Sequence, residues 1–195
     1  RPRRRPVLSN RLRGVAQARL RILILGSAAG GGLPQWNCGC PNCAAARRGE
    51  IPSRSQSSIA VSADGETWAV VNASPDIRAQ LTASPALHPS GPRESPIRGV
   101  LLTNGDIDHV AGLLTLREQQ PFVLFHTSEI GAVLRANRIF DALNPELVPR
   151  RTVALDQPVE IDPGRAGERA VADRIVDDAA DGIVVISQRC QSLGH

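Results

Sequence analysis

Residues 101–121 read LLTNGDIDHVAGLLTLREQQP, and this stretch constrains the fold more than any other. An apolar run, IRGVLLTN, has the length and the β-branched content of a buried strand, and HVAGLLTLREQQ follows it with helical spacing. Between them stand Asn104, Asp106, Asp108 and His109. Along an extended segment, residues 104, 106 and 108 share a direction, and His109 can reach back from the start of the next helix. The spacing therefore predicts that the four converge on one point past a strand end, where open α/β sheets bind ligands. Oxygen donors with one imidazole suit Fe2+, Mn2+ or Mg2+ better than a soft ion, with Zn2+ still allowed. The alternative is an Asp-rich helix cap with His109 merely hydrogen-bonded.

The rest of the chain supplies strands and helices in a mixed α/β order. RILILG at 21–26 is a short apolar strand, and SAAGGGLPQWNCGCPNC is a long loop before a helix at AAARRGE. SSIAVSADGETWAVVNAS reads as two strands joined at Ala63-Asp64-Gly65-Glu66, since Asp-Gly is a hairpin signal. PDIRAQLTAS predicts a short helix, HPSGPRESP a linker, PFVLFHT a strand, SEIGAVLRANRIFDAL a Ser-capped helix and RRTVALD a last strand. Hairpin pairing first and helical crossovers later make an α/β domain with its sheet covered by helices. No internal repeat is visible. Residues 161–195 change character: they are acidic and Ala-rich, with enough pattern for a helix and a strand but no ligand cluster.

At 195 residues the chain fits one domain with tails. Its net charge of +4 is uneven, because residues 1–21 hold eight arginines and no acid. Residues 1–19 are expected to be a disordered basic extension or the product of a start site set too early. A nucleic-acid arm is not expected, since no aromatic residue is interleaved for base stacking. All basic side chains are Arg and none is Lys, which reflects composition bias rather than function. No apolar run reaches the ~18 residues of a membrane span, and the Arg-rich start lacks a secretory apolar core. A cytoplasmic, reducing compartment is the expectation.

Cys38, Cys40 and Cys43 fall within six residues, and Cys190 stands alone. Thiols so close cannot frame disulfides, but at this spacing all three can face one tetrahedral ion. Soft sulfur donors suit a structural Zn2+, with free or redox thiols as the alternative. The fourth ligand could be Cys190 or a distant His. The Gly-rich LGSAAGGGLP lacks the Lys-Ser/Thr of a phosphate loop and the G-x-G-x-x-G of a dinucleotide fold. His88 falls in the Pro-rich linker and suits the surface. His126 follows a strand and suits a core or cap position, with the cleft as an alternative. Asp76 sits at another strand end and could either orient a ligand or cap a helix. The terminal His195 carries little weight.

In order, LGSAAGGGLPQWNCGCPNC, RSQSSIAVS, NASPDIRAQL, LLTNGDIDHVAGLLTLRE and IFDAL resemble the coenzyme PQQ synthesis protein B family, over about residues 20–158. That family lies in the metallo-β-lactamase fold superfamily, so the resemblance implies an αββα sandwich of two facing sheets with helices outside. Most of the superfamily carries H-x-H-x-D-H here and binds two metals. This chain has Asn104 and Asp106 where two His usually stand, a departure that PqqB relatives share. The resemblance implies a structural zinc on Cys38, Cys40 and Cys43, and a catalytic metal, iron or another divalent ion, on Asp106, Asp108 and His109 with Asn104 at its edge. It implies a role in making pyrroloquinoline quinone (PQQ), through iron-dependent hydroxylation of a tyrosine in a peptide-derived, cross-linked Glu-Tyr substrate. An older assignment is export of PQQ or its precursor to the periplasm, and a hydrolase of the same superfamily is a third class. The family continues through a second sheet, so residues 20–160 are expected to form its N-terminal half. The chain is then a truncated or partial product whose bare sheet face would aggregate or seek a partner, including a second copy of itself.

Overall fold

The computed structural model describes residues 20–155 and the backbone of two further short strands, Val159–Glu160 and Ile183–Val184. The basic extension at 1–19 and most of the tail at 161–195, with Cys190 and His195, lie outside the described residues.

Six strands form one sheet whose spatial order follows the chain: β1 (Arg21–Gly26), β2 (Ser58–Ser62), β3 (Trp68–Val71), β4 (Ile97–Leu101), β5 (Val123–His126) and β6 (Arg150–Thr152). β1–β2 and β2–β3 pair antiparallel, and β3 to β6 pair in parallel. The β2–β3 hairpin closes where Asp-Gly predicts it. Gly65 takes φ +86°, a left-handed conformation that side chains disfavour. The Asp64 carboxylate accepts from the backbone N–H groups of Glu66 and Thr67 and from the Thr67 and Ser62 hydroxyls. β7 (Val159–Glu160) and β8 (Ile183–Val184) form a separate antiparallel pair.

The parallel strands need crossovers, and helices supply them. Among the described residues four α-helices accompany the sheet: α1 (Pro41–Arg47), α2 (Ile77–Thr82), α3 (Ile107–Val110) and α4 (Ser128–Ala136). One core joins Ala60, Trp68, Val70, Val100, Leu102 and Leu124 of the sheet side to Ile77, Leu113, Ile130, Leu134 and Phe140 of the helical layer. Leu23 and Leu25 pack against that core, so Ile22 and Ile24 alternate to the opposite face, where they are 56% and 74% exposed. No described helix is long and apolar enough to cross a membrane.

Two expected helices are shorter than their patterns. The one after β4 stops at Val110 and passes into a 3-10 turn at Ala111–Leu114. Gly112 explains the break. Its N–H donates to the Ala73 carbonyl at 2.8 Å, and a Cβ there would stand 2.1 Å from the Ser74 oxygen, so the segment is pulled against the loop after β3. The helix after β5 ends at Ala136, and a 3-10 turn at Arg138–Ala142 follows. Its cap is Thr127, not Ser128: the Thr127 hydroxyl accepts from the Ile130 N–H, whereas Ser128 bonds the Glu129 carboxylate.

Candidate functional site

β1 runs antiparallel to β2, and β2 antiparallel to β3, so β1 points the same way as β3 to β6. The loops after β1, β3, β4 and β5 therefore meet at one sheet edge, the carboxyl end that binds ligands in such sheets. Contacts bear this out. A Cβ on Gly30, in the loop after β1, would stand 3.1 Å from Oδ2 of Asp108, in α3 after β4. The Gln56 amide donates to the Gly30 carbonyl and holds that loop in place.

Asp108 and His109 come together at this edge. His109 Nδ1 lies 3.0 Å from Asp108 Oδ1, and the side chains are only 17% and 23% exposed for His109 and Asp108 respectively. The contact lacks hydrogen-bond alignment, and Nδ1 is a buried polar atom with no partner. A buried imidazole nitrogen beside a carboxylate, with nothing to bond, fits a metal ligand. Asp106 and Asn104 stand differently. Asp106 is exposed at the N-cap of α3 without capping it, and its N–H donates to Asn104 Oδ1 at 2.9 Å. The structure thus gathers Asp108 with His109 and leaves the other two beside them.

Asn72 is a residue that sequence reasoning passed over. It follows β3 in the left-handed region, φ 64°, and is buried. Its Oδ1 accepts from the Thr103 N–H at 2.9 Å and the Thr103 hydroxyl at 3.0 Å, and its N–H donates to Leu101. This ties the end of β3 to the segment that carries Asn104 to His109. Its one sequence signal is chemical: Asn tolerates this conformation better than most residues. The next residue, Ala73, donates its N–H to the His109 carbonyl at 2.8 Å. Asp76 does not cap α2. Its carboxylate accepts from the Gln56 N–H at 2.9 Å and braces the loop opposite.

His126 is buried at the end of β5, with Nδ1 2.8 Å from the Thr127 carbonyl and Nε2 unpartnered. His88 is exposed and its Nε2 meets the Thr82 carbonyl at 2.9 Å.

The thiols form a second centre. The ligand atoms of Cys38, Cys40 and Cys43 lie within 4.8 Å of one another, the one such group of three or more His, Cys, Asp or Glu among the described residues. Cys40 is the N-cap of α1, Cys43 sits in its first turn, and Cys38 ends the loop before it. The Cys43 backbone N–H, then the Cys38 and Cys43 thiols, lower the Cys40 thiol to about 7. A hydrogen bond from the Gln35 backbone pulls Cys43 down, but burial and the neighbouring Cys38 and Cys40 thiols outweigh it and leave Cys43 raised. Three gathered sulfurs, one of them readily ionised, fit a soft divalent ion.

The model of the Beta-lactamase superfamily domain matches residues 67–173. The chain belongs to the beta-lactamase superfamily. Within it, the chain is similar to coenzyme PQQ synthesis protein B. It is 63% identical over 150 residues to that protein from Methylobacterium sp. strain 4-46, covering 75% of this chain and 50% of the relative. It is 59% identical over 145 residues to that of Ruegeria pomeroyi, covering 74% and 49%. The crystal structure of Zn(2+)-bound PqqB from Methylobacterium extorquens superposes with a TM-score of 0.71 at 57% identity, over 73% of this chain and 52% of that one. A diphosphatase of the PhnP family aligns with a TM-score of 0.56 at 22% identity over 73% of this chain and 54% of that one, which shows the shared beta-lactamase fold alone. The chain spans about half the length of the curated relatives it matches.

Proposed function

We propose that this chain serves PQQ biosynthesis, within a metal-dependent protein that hydroxylates the tyrosine ring of a peptide-derived Glu-Tyr substrate. What carries the reading is the 57–63% identity to coenzyme PQQ synthesis protein B over about three quarters of the chain. The strand-end geometry supports the chemistry. Asp108 and His109 would hold the catalytic metal, with Asp106 and Asn104 beside them. Oxygen donors with a single imidazole suit Fe2+ or another divalent ion. When bound, such an ion supplies O2 activation. The chain's own residues prepare the site: Asn72 ties the end of β3 to Thr103, the Ala73 N–H holds the His109 carbonyl, and the bare Gly30 backbone leaves no side chain over the Asp108 carboxylate. The PqqB structure from Methylobacterium extorquens is Zn(2+)-bound, and Cys38, Cys40 and Cys43 are the set here suited to a structural Zn2+. The reading sets the reaction in the cytoplasm, whose reducing conditions keep those thiols free for metal.

The test is O2 consumption with the cross-linked Glu-Tyr substrate after anaerobic loading with Fe2+. Turnover that vanishes with Asp108→Ala, while the far-UV circular dichroism stays unchanged, is the expected result. Retained turnover contradicts the assignment. Tight PQQ binding with no metal-dependent turnover would favour a carrier instead.

A further inference from the structure

Arg47 is exposed, makes no salt bridge among the described residues, and nonetheless holds three loop carbonyls. Its Nη1 donates to the Cys38 carbonyl at 2.5 Å, and its Nη2 donates to the carbonyls of Gln35 at 2.6 Å and Trp36 at 3.3 Å. The partners lie nine to twelve residues away in sequence. Cys43 and Arg47 are i and i+4 on α1, so they share the helix face turned toward the loop. One face of a two-turn helix thus presents a thiol and, one turn on, a guanidinium that grips the loop bearing a second thiol.

We infer that Arg47 is a positioning residue for the Cys38, Cys40 and Cys43 centre, holding the 35–38 loop so that the Cys38 sulfur meets those of Cys40 and Cys43. Chemistry singles out Arg for this. Its planar fork spans several carbonyl oxygens at fixed angles, whereas a Lys ammonium is a point donor on a flexible stem. Its charge also rests on the carbonyl of Cys38, a residue of a centre that would be anionic with three thiolates on a divalent ion. The neighbouring Arg48 does neither: it pairs with Glu50 at 2.6 Å and leaves the loop alone. Without Arg47, the Trp36 and Cys38 carbonyls turn to water, the Gln35 carbonyl keeps the Cys38 N–H at 3.2 Å, and the loop no longer delivers Cys38 in register. Partners of this kind, one bond removed from the ligands, commonly change metal affinity by about 10–100-fold.

The inference rests on the thiol centre being a metal site, and the test separates the two. The full chain is titrated with Co2+ and then Zn2+, reading the sulfur-to-cobalt charge-transfer band and competition with a chelator. The expected result is a thiolate band in the wild type and about 10–100-fold weaker binding in Arg47→Gln. Arg47→Lys should recover part of that loss, and Arg48→Gln should bind as the wild type does. A thermal melt of each metal-free variant checks that the fold is intact. Equal affinity in Arg47→Gln and wild type overturns the positioning role while leaving the metal site standing. An equal loss in Arg48→Gln also overturns it, since general charge would then suffice. No thiolate band in the wild type overturns the metal site and the inference together, with Cys38→Ser as the reference for a broken centre.

Discussion

His109 Nδ1 and Asp108 Oδ1 stand 3.0 Å apart without a hydrogen bond between them, and the nitrogen has no other partner. A buried ring nitrogen left in that state costs about 1–3 kcal/mol of desolvation unless something binds it. The neighbouring carboxylate makes a cation the fitting occupant. His109→Ala should therefore weaken binding of Mn2+, used as a probe, by about tenfold or more while the far-UV spectrum is retained. Isothermal titration measures this, and equal affinity in the two proteins would remove His109 from the site.

Asn72 joins two demands at one position: a left-handed backbone and two accepted hydrogen bonds from Thr103. Asn72→Gly relieves the backbone demand but loses the bonds, and Asn72→Ala fails at both. We expect Asn72→Gly to destabilise by about 1–2 kcal/mol. Asn72→Ala should cost about 1 kcal/mol more, from the left-handed strain on a Cβ. Urea denaturation of the three proteins gives both numbers. Equal midpoints for the Gly and Ala variants would show that the conformation carries no strain.

Gly112 meets the loop after β3 with no space for a side chain. Because a Cβ there would press on backbone oxygens of Ser74 at 2.1 Å and Ala73 at 2.7 Å, no rotamer change can relieve it. Gly112→Ala should destabilise by ~3 kcal/mol and displace His109, whose carbonyl accepts from Ala73. A melting temperature within a degree or two of wild type would mean that the two segments are not packed as described.

Asp64 gives the hairpin a pH signature. Burial alone would push its carboxyl up, but hydrogen bonds from the Thr67 backbone and hydroxyl, the Glu66 backbone and the Ser62 hydroxyl hold it well below the usual range. A carboxyl depressed in the folded state adds stability that is fully present above its unfolded value, about pH 4, and is lost as pH falls toward the folded value. Asp64 is exposed and water screens its charge, so Asp64→Asn should be less stable than wild type at pH 7 by only about 0.5–1 kcal/mol, with the gap closing below about pH 4. A gap that stays constant across that range would contradict the assignment.

The sheet was legible because its strands are short apolar runs bounded by Gly, Pro and Asp-Gly, and those signals are local. The thiol cluster was equally legible, since three ligands within six residues need little tertiary information. The strand-end site was harder. The spacing of Asn104, Asp106, Asp108 and His109 suggests a common point, but that geometry assumes an extended segment running to 108. In the fold, α3 begins at Ile107 and turns Asp108 back toward His109 and Gly30, while Asp106 stays exposed at the cap. The apolar pattern extends the helix after it too far, because Gly112 fits a helical pattern and gives no sign of the backbone across from it. Asn72, Gly30 and Arg47 act through partners 9 to 78 residues away, which no local pattern encodes.

The proposed role of Asp108 and His109, holding a metal needed to make PQQ, can be read from the PQQ yield of cells whose own gene carries Asp108→Ala, measured by mass spectrometry beside wild type and with protein levels matched by immunoblot. PQQ should fall to background while the protein accumulates normally and its zinc content stays unchanged. Wild-type PQQ in the Asp108→Ala cells, at equal protein level, would contradict it.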